Sequence, residues 1–106
     1  MNFSHLSPSQ IRLQLWDHIS RELNLSNQAK LILLIIANYT DPRSLRASVP
    51  TSLLVLKCSL SETDLNRLFV PLEASQLIER QRVLSDAGRS ITLCNLGKTL
   101  LQQALQ

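Results

Sequence analysis

Aromatic side chains are scarce in this chain: two Phe, one Tyr and one Trp make up 4% of its 106 residues. Leu and Ile must therefore supply most of a core. With only two Gly and four Pro, the sequence argues against collagen, propellers and hairpin-rich β folds. Cys58 and Cys94 lie far apart, have no zinc-ligand spacing around them, and share no motif with His5 or His18. No metal or cofactor is expected, and both thiols are expected to be buried as small hydrophobes. No apolar run approaches the roughly 18–20 residues that span a bilayer, so no membrane partner is expected. The start, Met1-Asn-Phe-Ser-His5, lacks a charged segment followed by an apolar one. The expectation is a cytoplasmic protein without a signal peptide. A Gly-rich phosphate loop, a Cys/His or Ser/His/Asp motif and a metal box are all missing, so an enzyme is not expected.

What the chain does have is 44% hydrophobic and 18% charged residues, which fits a folded domain. Its length fits one core, so residues 1–106 are read as a single domain. The net charge of +3 is unevenly spread. Before Arg43, Arg12, Arg21 and Lys30 are balanced by Asp17, Glu22 and Asp41. From Arg43 onward, eight basic residues face five acidic ones. A basic second part permits nucleic-acid binding.

Local signals divide the chain into elements. Ser7-Pro-Ser-Gln10 reads as a capping box with Pro at the first helical position, and Leu6 and Ile11 stand as a hydrophobic staple. Ile11, Leu15, Ile19 and Leu23 give a first helix over about 8–23, of about four turns. Ser26 caps a second helix to about Tyr39, apolar almost all round from Leu31 to Ala37 and so expected to be central and buried on several sides. Asp41-Pro42 ends it. Residues 43–49 read as a loop or a short extended piece. Pro50 suits the first turn of a third helix, and Ser59-Leu60-Ser61 is a tight connection to a fourth, with Ser61 as its cap. Leu65, Leu68, Phe69 and Leu72 form its inward stripe, and Pro71 is expected to kink or end it near Val70. Leu77–Leu84 and Ser90–Cys94 read as the strands of a hairpin. A last helix over about 95–105 carries Leu96, Leu100, Leu101 and Ala104, its start weakened by Gly97.

Two helices joined by a three-residue connection and followed by a hairpin make up the informative part, Pro50 to Cys94. Over residues 29–101 the chain resembles a winged helix-turn-helix DNA-binding domain. Residues 30–82 resemble the helix-turn-helix domain of phage and plasmid replication proteins, through Lys30–Tyr39, Leu60-Ser-Glu62 and Gln76-Leu-Ile-Glu-Arg80. Residues 82–101 are similar to the wing and following helix of MarR-type regulators, through Asp86, Arg89 and Leu93-Cys-Asn-Leu-Gly97. The fold class implied is mainly α with a small β-hairpin (α+β), about five helices plus a two-stranded wing. The helix-turn-helix would span about 50–76 and the wing about 77–94.

The resemblance implies double-stranded DNA as partner, with the fourth helix in the major groove. Thr63, Asn66, Arg67 and Val70 lie off its inward stripe. Arg67 can pair with guanine and Asn66 with adenine, while Thr63 can reach a phosphate or a thymine methyl. Arg82 and Arg89 would touch the minor groove or backbone, and Arg43, Arg46 and Lys57 would neutralise phosphates. Glu62 and Asp64 cut the other way, bringing negative charge to the helix end that should approach DNA, although acids there also complement the helix dipole. Leu13 and Trp16 on the first helix, and Leu100, Leu101 and Leu105 on the last, suggest a homodimer built through these two helices. The function expected is a dimeric transcriptional repressor or autoregulator of a bacterial or mobile element. Alternatives are a plasmid or phage replication or partition protein, and a winged-helix module that contacts only protein.

Overall fold

Capping decides where the helices begin in the computed structural model, which describes residues 6–106. Helix α1 (Pro8–Asp17) starts on a reciprocal capping box: Ser7 Oγ accepts from the Gln10 N–H at 3.2 Å, and Gln10 Oε1 accepts from the Ser7 N–H at 2.8 Å. Ser26 caps α2 (Asn27–Asn38) and Ser61 caps α4 (Glu62–Ala74) through the same kind of hydroxyl contact to the third helical N–H. Between them lies α3 (Thr51–Cys58), and α5 (Lys98–Leu105) closes the chain.

The first helix does not stay α to its end. Residues His18–Glu22 widen into a π turn. Ser20 Oγ donates to the Trp16 carbonyl at 2.7 Å, and the Ser20 carbonyl accepts from Lys30 Nζ at 3.0 Å. Side-chain bonding to the backbone of this kind competes with the regular ladder. Ile19 still reaches the core with Ile11 and Leu15.

Three strands, not two, form the sheet. β2 (Ile78–Leu84) and β3 (Ser90–Leu96) make the hairpin, and β1 (Val49–Pro50) adds to the other edge of β3 in the antiparallel order β1–β3–β2. Val49 lies opposite Cys94 and Pro50 opposite Leu93. The expected loop or extended piece at 43–49 is thus both: a loop to Ser48, then a strand. Pro50 is the N-cap of α3, which starts at Thr51 as expected. The loop bends through positive φ at Leu45 and Ser48, and Asn95 pins it to β3. Asn95 is fully buried, and its Oδ1 accepts from the N–H groups of Ala47 and Ser48 at 2.6 and 2.8 Å.

Two further expectations are corrected. Helix α4 runs past Pro71 to Ala74 and does not end near Val70. Pro71 is exposed, so the Arg67 carbonyl that loses its donor can meet water, while buried Phe69 and Leu72 hold the inner side of that turn. Strand β3 extends to Leu96, so α5 begins at Lys98 rather than near 95. Gly97 is required there: a Cβ would stand 2.1 Å from the Gln76 carbonyl oxygen, and the Gly97 N–H donates to the Leu77 carbonyl at 2.8 Å.

Among the described residues the result is a mixed α+β fold, five α-helices and a small sheet around one core that includes Ile32, Leu33, Leu54, Phe69 and Leu100. Leu100, Leu101 and Leu105 of α5 are all buried within it. They are not left over for a partner, because α5 packs on α1 and the start of β2 in its own chain. Helix α2, by contrast, is not covered on all sides: Leu31 is 42% exposed and Tyr39 46%.

Candidate nucleic-acid interface

The inward stripe of α4 decides what its other side presents. With Leu65, Phe69 and Leu72 buried, Thr63, Asn66, Arg67 and Val70 all stand exposed. Arg67 Nη1 lies 3.6 Å from Asp64 Oδ1, one turn back. Both side chains are more than half exposed, so water screens the pair and Arg67 can turn to another anion at little cost. Glu62 and Asp64 occupy the first turn, where they offset the positive end of the helix dipole.

Alternation along β2 sorts the hairpin's side chains onto two faces. Arg80 and Arg82 share the face with Ile78, and Arg80 packs against α4. Its guanidinium lies 4.8 Å from the centroid of the Phe69 ring. One nitrogen forms an ion pair with Glu73, and Nη1 stands 3.5 Å from Asn66 Oδ1. Arg80 thus spans two turns of α4 and touches Asn66, a candidate base reader. The run Leu-Ile-Glu-Arg80 carried the signal, since period-two alternation from Ile78 aims Arg80 inward, where an unpaired cation would be costly.

The opposite face of β2 holds Glu79 and Gln81, and Arg46 reaches both, at 3.0 and 3.2 Å. The structure therefore does not bring Arg46 and its loop neighbour Arg43 to the α4 side of the sheet. Arg82 is exposed on the α4 side, Arg89 is exposed in the turn at the hairpin tip, and Lys57 is exposed in the last turn of α3. The tip is built by Ser85 and Gly88: Gly88 takes φ 77°, and Ser85 Oγ accepts from the Arg89 N–H at 3.1 Å.

The thiols offer little chemistry. Cys94 is buried and Cys58 half-buried, which corrects the expectation for Cys58. Burial pushes the Cys58 thiol up. It pushes Cys94 up to about 11, with the Arg80 charge opposing the rise and the Glu73 charge adding to it. Both stay protonated at neutral pH, and a thiol is a far weaker nucleophile and ligand than a thiolate. Among the described residues no group of three His, Cys, Asp or Glu side chains lies together as a metal site would need, and no helix is long and apolar enough to cross a membrane.

No protein-family model matches the chain, and no curated protein or solved structure matches it significantly.

Proposed function

We propose that this chain is a winged-helix protein that binds double-stranded DNA, with α3 and α4 as its helix-turn-helix, α4 as the recognition helix, and the β2–β3 hairpin as its wing. The observation that carries this reading is the exposed polar face of α4, Thr63, Asn66 and Arg67, beside a hairpin that presents Arg82 and Arg89. Helices of this kind read base edges in the major groove, and a basic hairpin tracks the backbone. Arg67 is the guanine reader and Asn66 the adenine reader. Thr63 contacts a phosphate or a thymine methyl, and Lys57 neutralises phosphate. Arg43 and Arg46 are peripheral contacts at most, with Arg46 already engaged by Glu79. The biological role that fits is a cytoplasmic, non-enzymatic regulator that blocks transcription by occupancy, or a replication or partition factor of a plasmid or phage.

One observation favours a protein partner instead. Glu62 and Asp64 make the leading end of α4 acidic, and Asp64 stands beside the single Arg of that helix.

Fluorescence anisotropy with random duplex DNA, at low and at physiological salt, separates the two. Affinity should fall steeply with salt, and Arg89→Ala should flatten the slope by about one unit. On a selected site, Arg67→Ala should cost about 1–3 kcal/mol more than on random DNA. A protein that binds no duplex even at low salt would overturn the reading in favour of a protein partner.

A further inference from the structure

The loop that Asn95 pins walls a cavity that the DNA reading does not use. It measures about 340 Å³, within the range of small-molecule sites, and lies between residues 43–46, Glu79 of β2 and the first turn of α5. Leu45, Leu96 and Leu101 give it an apolar lining, the last two of them buried. Arg43, Arg46 and Lys98 stand around it. Among the described residues Glu79 is the one carboxylate that lines it, and Arg46 already holds it through Nη1 at 3.0 Å, while Nη2 meets Gln81 Oε1 at 3.2 Å. That guanidinium is fixed with its charge offset, so Arg43 and Lys98 set the sign of the cavity. Neither has a carboxylate within ion-pair distance among the described residues.

The wall is preset. Asn95 Oδ1 holds the Ala47 and Ser48 N–H groups, and Asp41 closes the other end of the loop, its carbonyl accepting from the Leu45 N–H at 2.7 Å and its Oδ1 from the Arg43 N–H at 2.8 Å. Leu45 takes φ 60°, a region that a non-glycine residue seldom occupies, and in it the leucine packs half-buried on the core. Strained backbone of this kind collects where ligands are held. A wall that is already ordered spares part of the cost of binding.

We infer that this cavity binds a small organic anion, a carboxylate or phosphate monoester on a short aliphatic body. The acid group sits at Arg43 and Lys98, and the chain lies on Leu45, Leu96 and Leu101. Two exposed cations with no acid of their own attract an anion, and the leucines gain by covering apolar surface. A bare inorganic ion would leave the leucines wet, and a cation would meet two like charges. Glu79 and Arg46 belong to the sheet face turned away from Asn66 and Arg82, so the inference does not rest on DNA binding.

An NMR titration of the full isotope-labelled chain at neutral pH tests this with hexanoate, hexyl phosphate, inorganic phosphate and hexylamine. Hexanoate or hexyl phosphate, whichever acid group fits better, should shift the amides of Arg43–Arg46 and Lys98–Leu101 to saturation, with a Kd of about 1 mM or tighter. Arg43→Ala and Lys98→Ala change exposed side chains and should keep the rest of the spectrum. Each should raise that Kd about threefold, and the pair together about tenfold. Inorganic phosphate should bind more weakly, and hexylamine should leave these amides unmoved. No saturable shift with either organic anion would overturn the inference, as would equal binding of hexylamine or of inorganic phosphate, or a Kd that neither variant changes. Random duplex DNA that displaces the organic anion, and that binds Lys98→Ala more weakly by the same factor, would overturn it too and assign these cations to the DNA backbone.

Discussion

Arg80 is the residue on which the α4 side of the sheet turns. Its guanidinium joins Glu73 to the vicinity of Asn66 across the Phe69 ring. A planar fork can serve two partners and an aromatic face at once, which an ammonium cannot. Arg80→Ala would leave Glu73, itself only about a third exposed, without its partner. The expected loss is about 1–3 kcal/mol in urea unfolding, with Arg80→Lys recovering part of it. Equal stability for all three proteins would mean that the pair is balanced by its desolvation. Asn95 works in a similar way on the other side of the sheet, supplying one oxygen to two loop N–H groups that would otherwise lack partners.

At the scale of elements, the caps and the joints carry most of the definition. Ser7, Ser26 and Ser61 each start a helix where a hydroxyl meets an orphan N–H. The joint between α4 and β2 is tighter: Gln76 takes φ 56°, and Gly97 passes against its carbonyl. Gly97→Ala would drive a methyl into backbone that cannot rotate away. The expected cost is about 1–3 kcal/mol, read as a lower denaturation midpoint at an unchanged m-value, whereas an unchanged midpoint would show that α5 can move outward freely. Gly97 is legible in the sequence only as a weak helix start, because the joint that crowds it, at Gln76 and Leu77, is formed by residues some twenty positions earlier. Pro71 misleads for the opposite reason: the local rule predicts a break, but buried neighbours on both sides of it keep the helix going.

For the whole molecule, the separation of charge matters more than its sum. Residues up to Asp41 are electrically balanced, and the basic excess lies beyond them. Two reversals with the same effect on net charge should then act differently. Arg89→Glu should weaken binding to random duplex DNA and reduce its salt dependence by about two charges, while Arg21→Glu, exposed on the π turn, should leave both nearly unchanged. Equal effects would mean that only the total charge attracts DNA and that the hairpin has no special place in binding.

The sequence by itself determined the starts of α1, α2 and α4, the turn at Ser59–Ser61, the hairpin and its tip, the inward stripe of α4 and the division of charge. These rest on interactions within a few residues, which a local pattern records. Of the candidate site, it gave the exposed residues Thr63, Asn66, Arg67, Arg82 and Arg89. Only the tertiary structure decided that Val49–Pro50 joins the sheet, that Arg80 reaches Asn66 fourteen positions away, and that Asn95 holds Ala47 across forty-eight. It also decided which apolar surfaces remain. Leu31 and Leu100 are the same kind of residue at the same kind of helical position, yet one is 42% exposed and the other fully buried. Burial is a property of what packs against a side chain, and that depends on closing long stretches of chain.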